Sequence, residues 1–315
     1  MARRKPGTTI PNGVIEESVF FRVFAEMSQH MSYELIARSF VKFEQKYYSH
    51  GFTTVTDGRT DNISLISLIR FANEKRLKLD VVAYIDFIAF TQNDSFKNFS
   101  NYTSKYNYTN HMRIGGGKLA MDGSVQAFTA WLSKPYYHTP DGKSADYRGY
   151  PSFNSTQEVA NLMTILRKND MQINVHANGD AAVQRLIEAV EESRKDYKTT
   201  INIPSSEPFN FTNLDDERVV CVHCQVTSPD QTLRMKENNI IPSYFNAHTQ
   251  FWGDFHKNES LGPERAKRLS VAGEAHNYGM LFTSHLDSPV VPPDAAYIIS
   301  SLVNRKTASG VTLGE

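Results

Sequence analysis

Four side chains able to bind a metal ion or carry a proton stand at or near the ends of separate β-rich runs: Lys118, His176, His223 and Asp287. His248 and Asp254 stand just past another such run. Two imidazoles, a carboxylate and a basic or modified side chain, drawn from different strands to one point, suit a divalent metal ion such as zinc. They are too far apart in sequence for the short local spacing of a zinc finger.

Each of these residues also has a plainer reading. His176 or His223 alone reads as a hydrogen-bonded polar residue at a strand end. Asp287 reads equally as a turn cap before Pro289, and Asp86 with Lys118 as a buried salt bridge. Cys221-Val-His-Cys224 looks like half of a zinc site, but the chain holds no second cysteine pair. Strand alternation puts Cys221 and His223 on one face and Cys224 on the other, which argues against a two-cysteine clamp. It is the recurrence on successive strand ends that favours chemistry.

The elements that must position these residues follow one pattern, an amphipathic helix, then Gly or Asn, then a short β-rich run. Ser32 opens a helix with Ile36, Phe40, Phe43 and Tyr47 on one face, Gly51 stops it, and a strand runs to Asp57. Leu65, Leu68, Ile69 and Ala72 carry a second helical stripe, followed by the strand Leu79 to Asp86. Ser155-Thr-Gln-Glu158 predicts a capping box in front of Val159, Leu162, Met163 and Leu166. Asp180 is expected to cap a helix bearing Val183, Leu186, Ile187 and Val190. Strands are expected near residues 52, 79, 114, 172, 219, 240 and 280, the last running from Met280 to Asp287.

Alternating strands and helices predict a parallel α/β sheet. Seven strands are one short of a closed (β/α)₈ barrel, and no Gly-x-Gly-x-x-Gly follows a strand as a dinucleotide fold would require. Gly115-Gly-Gly117 precedes the apolar positions of its strand, so it is a weak phosphate-loop candidate. The polar stretch 91–110 reads as an exposed loop or insertion. In a parallel barrel the strand C-termini share one mouth, where Lys118, His176, His223 and Asp287 would meet.

Composition narrows the classes. Apolar residues make up 40% of the 315 and charged residues 22%, an ordinary globular balance that excludes disorder. Lys plus Arg and Asp plus Glu each total 34, so the basic excess of a nucleic-acid binder is absent. Apolar runs are cut by Asp80 and Asp86, and none reaches the roughly 20 residues a membrane helix needs. Met1-Ala-Arg-Arg-Lys is followed by no apolar stretch, so no secretory signal is expected. With two cysteines, a reducing cytoplasm is the expected location.

Several segments together resemble one family. Lys118-Leu-Ala-Met-Asp-Gly-Ser124, followed by Thr129-Ala-Trp-Leu-Ser-Lys-Pro-Tyr136, is similar to the strand-4 signature of the amidohydrolase superfamily, family 3. That group includes the YtcJ-like proteins and N-substituted formamide deformylases. Val175-His-Ala-Asn-Gly-Asp180 resembles its strand-5 motif and Val222-His-Cys-Gln225 its strand-6 motif. Asn246-Ala-His-Thr-Gln-Phe-Trp-Gly-Asp254 is similar to its strand-7 segment, and Ser284-His-Leu-Asp-Ser-Pro-Val290 to its strand-8 motif. Pro11 to Glu16, Gly51 to Asp57 and Asn304 to Gly310 also fit, so the resemblance covers nearly the whole chain in order.

The resemblance implies a TIM-type (β/α)₈ metal-dependent hydrolase barrel, present here as strands 2–8 in a single domain over 1–315, without the accessory β-sandwich. It implies His176 and His223 as ligands of a divalent metal, zinc first among them, and Lys118 as a further ligand in carboxylated form. Asp287 would bind metal and act as general base, passing a proton from water to the leaving nitrogen. His248 would steady the oxyanion or the substrate, and Asp122 and Asp180 would orient these groups. The substrate implied is a small molecule with a non-peptide C–N amide bond. Phe128, Trp131, Tyr136, Phe251 and Trp252 are expected around an apolar pocket, Trp252 touching substrate.

One departure is large. The family carries a His-x-His pair on strand 1, and the ten histidines here form no such pair. The chain therefore looks like the central part of a longer enzyme, truncated at both ends. Expected partners are a complementing N-terminal segment or a second copy of the chain, with neither nucleic acid nor membrane. An inactive barrel remnant serving as a binding module is the alternative. A phosphotriesterase- or deaminase-like hydrolase is a third reading, disfavoured by the Lys118–Ser124 segment.

Overall fold

The structure, a computed structural model, describes residues 2–5, 7–87, 107–200 and 217–314. Of the polar stretch 91–110, residues 91–106 lie outside the described residues. Two short strands, β1 (Ala2–Arg4) and β2 (Pro11–Ile15), pair antiparallel at the start. The helices Glu17–Gln29 and Tyr33–Tyr48 follow.

Seven strands then form one parallel sheet, each hydrogen-bonded to the next in chain order. They are β3 (Thr54–Thr60), β4 (Asp80–Asp86), β5 (Met112–Ala120), β6 (Gln172–Ala177), β7 (Val220–His223), β8 (Ile241–Tyr244) and β9 (Thr283–Ser284). The sheet curls into a half-barrel, with β3 and β9 each lacking a second neighbour among the described residues. All seven expected strands are present, in the expected order.

Apolar stripes explain the layering. Leu65, Leu68 and Ala72 of the helix Asn62–Asn73 are buried, as are Val159, Met163 and Leu166 of the helix Thr156–Lys168. Val183, Leu186, Ile187 and Val190 of the helix Asp180–Thr200 are fully buried. On β4 the residues Val81 to Ile85 are buried without alternation, because helices cover one sheet face and the barrel interior the other. Ser32 caps its helix by accepting the Leu35 N–H.

Several details differ from expectation. The strand expected over Met280–Asp287 shrinks to Thr283–Ser284, which pair only with Ser243 and Tyr244 of β8. As an edge strand it has no second ladder, and Asp287 turns the chain with φ 53°. Gly115–Gly117 lie inside β5 and form no phosphate loop. A Cβ on Gly116 would stand 2.1 Å from the Gln172 carbonyl oxygen, so glycine is there to let β6 approach. The Ser155 hydroxyl does accept the Glu158 N–H, but the Glu158 carboxylate takes the Asn154 amide instead of closing the capping box. Asp180 is the first helical residue, not the cap, and its carboxylate accepts the Ser133 N–H at 2.8 Å and the Ser133 hydroxyl.

Candidate metal and catalytic site

The register of the sheet brings the polar strand ends together. Lys118 of β5 pairs in register with Asn174, Ala120 with His176, and Ala177 with His223. The His176 and His223 rings lie 4.6 Å apart edge to face, and the His223 and His248 rings 6.1 Å apart. Lys118, His223 and His248 are buried, while Asp287 is exposed at the rim.

Two of these residues carry unusual backbone. His223 has φ 71°, its neighbour Cys224 φ 44°, and Asp287 φ 53°. Left-handed conformations at non-glycine residues cost about 1–3 kcal/mol each and cluster at functional sites. Here they aim side chains at the strand-end recess. They also overturn the face argument for the cysteines. The left-handed turn at 223–224 breaks the alternation, so Cys224 and Cys221 are both fully buried in the same core, with their thiols in hydrogen-bonding contact.

The electrostatics favour neutral imidazoles. Burial, followed by the neighbouring His176, His285, Lys118 and His248, holds the His223 pKa well below its usual value. Burial does the same for His248, aided by His256, His285 and His176. Neutral imidazoles offer lone pairs to a metal ion. Burial lowers the Lys118 ammonium to about 8, against the raising pull of Asp287. Desolvation within the recess raises the Asp287 carboxyl pKa, although one side meets solvent, and His176 and Lys118 oppose the shift.

Asp122 accepts N–H groups from Trp131, Asn178 and Gly179 at 2.8–3.0 Å, which ties the β5 loop to the β6 loop. Its Oδ1 also stands 3.2 Å from His176 Nδ1, close in distance but without hydrogen-bond alignment. Asp180 and Asp254 are spent on loop ties, to Ser133 and to Ser309 respectively. Asp86 pairs with Arg59 at 2.8 Å, which sets aside the plainer reading of Asp86 and Lys118 as a buried salt bridge. The five aromatic residues expected around one pocket separate into three groups. Phe128 and Tyr136 pack with Leu132 and Val226, Trp131 lies on the main core under the Arg185 guanidinium, and Phe251 and Trp252 pack near Tyr297. Trp252 remains a neighbour of His248, with rings 6.0 Å apart.

The structure adds a residue that sequence reasoning passed over. His285 Nε2 lies 3.1 Å from His223 Nδ1, and donor atoms of His223, His285 and Asp287 all fall within 4.8 Å of one another. Alternation was the available signal, since positions 285 and 287 of one extended run share a face.

These residues fit a metal ion on structural grounds. Nδ1 of His176 and Nδ1 of His248 are buried without a hydrogen-bond partner, and the nearby donors are imidazole nitrogens and a carboxylate.

The fold and site define a protein class, and comparison with known proteins agrees. The chain belongs to the amidohydrolase family, whose profile matches residues 2–315. It is 24% identical over 287 residues to the exoenzymes regulatory protein AepA of Pectobacterium carotovorum subsp. carotovorum, covering 90% of this chain and 56% of that protein. It is 23% identical over 198 residues to the putative amidohydrolase YtcJ of Bacillus subtilis, covering 63% of this chain and 33% of that protein. Crystal structures of uncharacterized metal-dependent hydrolases share the fold. One from Pyrococcus furiosus has TM-score 0.72 at 21% identity, covering 96% of this chain and 56% of that one. One from Pyrococcus horikoshii has TM-score 0.73 at 20% identity, covering 99% and 57%. The chain thus spans little more than half the length of these relatives at most.

Proposed function

We propose that this chain forms part of a metal-dependent hydrolase that cleaves a non-peptide C–N amide bond in a small molecule. The observation that carries this reading is the meeting of His176 and His223 at adjacent strand ends, their rings 4.6 Å apart, with Asp287 at the same mouth. A bound divalent ion, zinc first among candidates, supplies a polarised carbonyl and a water whose pKa falls toward about 7. His176, His223 and Asp287 would hold it, with Lys118 as a fourth group. A free lysine ammonium repels a cation. Attack of its neutral amine on CO₂, with loss of a proton, converts it to an anionic carbamate.

Asp287 accepts a proton from the attacking water on a carboxylate oxygen and returns it to the leaving nitrogen. His248, neutral and buried, donates its N–H to the carbonyl oxygen as charge develops there. Asp122 holds the loop that follows His176 on β6, and Trp252 lines the approach beside His248 for an apolar N-substituent. The edges of β3 and β9, which have no second strand beside them among the described residues, suit a complementing segment or a second copy. A recess of about 280 Å³ lined by Phe40, Phe43, Val55, Phe71 and Ser288 lies at that opening. A cytoplasmic location belongs to the same proposal, on the two free buried thiols. No helix among the described residues is long and apolar enough to cross a membrane.

The test is hydrolysis by the zinc- and bicarbonate-loaded chain on panels of N-formyl and N-acyl amides and of phosphotriesters. Amide turnover lost in Asp287→Asn supports the reading. Phosphotriester turnover without amide turnover sinks the substrate class, and a metal-loaded chain inert on both sinks the hydrolase reading for this chain.

A further inference from the structure

His285 has a geometry that the four expected ligands do not explain. Its Nδ1 lies 3.0 Å from the hydroxyl of buried Ser243, and its backbone N–H is held by the Tyr244 carbonyl at 3.0 Å. Donating Nδ1–H to Ser243 leaves the lone pair on Nε2, which faces His223 Nδ1 at 3.1 Å. A neutral His223 meets that lone pair either with an N–H or with a lone pair of its own. In the second case only a cation between them makes the contact favourable. Metal–donor distances of about 2.0–2.2 Å put neighbouring donors about 3–4 Å apart, and the His223, His285 and Asp287 atoms fall within 4.8 Å.

We infer that His285 is itself a metal ligand, completing with His223 and Asp287 a nitrogen–nitrogen–oxygen set at the ends of β7 and β9 for one divalent transition-metal ion. Ser243 is its positioning residue, fixing the tautomer in the way that hydrogen-bonded partners orient metal-bound imidazoles. This inference rests on the metal-dependent reading above. It goes beyond it in giving the chain three donors that need neither a lysine modification nor any residue outside the chain.

The test uses Co²⁺ alone as the probe, on the whole 315-residue chain, with circular dichroism verifying the fold of each variant. Loss of a hydrogen-bonded partner costs about 10- to 100-fold in metal affinity. His285→Ala is expected to lose more than that, and Ser243→Ala to fall within that range. The His285→Cys variant is expected to restore tight binding and to show a thiolate-to-cobalt charge-transfer band absent from His285→Ala. Binding by His285→Ala within tenfold of the unaltered chain, or no such band in a Co²⁺-loaded His285→Cys, overturns the ligand role while leaving the hydrolase reading standing. An unaltered chain that takes up neither Co²⁺ nor Zn²⁺ overturns both.

Discussion

The Arg59 guanidinium sits 2.8 Å from the Asp86 carboxylate, and Asp86 is the register partner of Lys118 on the next strand. Arg59 therefore takes the carboxylate that Lys118 would otherwise use. Lys118 is left buried, with no carboxylate at ion-pair distance among the described residues. Its charge is held off by desolvation first, with Arg59 adding to it.

That arrangement has a pH signature. The folded-state pKa of Lys118 is about 8 against an ordinary 10.5. Between those values the unfolded chain binds more protons than the folded one, so stability rises with pH there. Below about pH 8 the folded state carries the full burden of a buried ammonium. Lys118→Met is expected to be more stable at pH 7 by up to about 3 kcal/mol, at about 1.36 kcal/mol per unit. The advantage should fade as pH climbs to 10.5. Urea unfolding of both proteins at pH 7 and 9.5, in CO₂-free buffer, measures it. A variant less stable at pH 7 contradicts the account.

Gly116→Ala is expected to destabilise the sheet by at least about 1–3 kcal/mol, the cost of overpacking. The added methyl would meet a backbone carbonyl, that of Gln172 at 2.1 Å, which cannot swing aside as a side chain can. Gly58→Ala on β3 has no heavy atom within 4 Å and serves as the control, expected within about 0.5 kcal/mol of the parent. Thermal melting of the pair decides it. Equal shifts would mean that the β5–β6 approach is not tight.

Much of this fold could be read from the chain because burial follows helical and strand periodicity. Leu186 and Val190 share a helical face, and both are fully buried. His176 and His223 were found because each ends an apolar run. Other features depend on backbone that residue types do not reveal. Alternation misplaced Cys224 because φ turns positive at 223 and 224. The Arg59–Asp86 pair follows a register shift between Asp57 and Thr60 that no periodicity announces. The helix Glu17–Gln29 and the hairpin before it went unread. Phe20, Val23, Phe24 and Met27 are exposed, so among the described side chains of that helix no buried stripe stands out.

Glu217 stands just before β7 and is buried between two arginines, Arg167 from one helix and Arg194 from the next, the latter at 3.0 Å. Arg194 also reaches the Asn238 carbonyl at 2.8 Å, so the carboxylate joins three segments. Removing one partner of a buried ion pair leaves an uncompensated charge and costs about 3–5 kcal/mol. Glu217→Gln, which keeps the shape and drops the charge, is expected to lose stability in that range by urea unfolding. A loss below about 1 kcal/mol, typical of exposed pairs, would place this cluster in solvent.

The thiols of Cys221 and Cys224 report whether the end of β7 stays closed. Both are fully buried, and Cys224 Sγ lies 3.9 Å from the Met235 sulfur. The Cys221 contact and burial raise the Cys224 pKa well above the usual thiol value. Thiolate is the reactive form, so each thiol is protected by lack of access, and Cys224 also by lack of ionisation. Alkylation by a maleimide is expected to be negligible in native buffer and to follow the urea unfolding curve, with both cysteines modified together. Because His223 lies between them, rapid native labelling would mean that the strand end opens locally. In that case the His176–His223 contact would not persist in solution, and a metal centre built on it would form only when the ion binds.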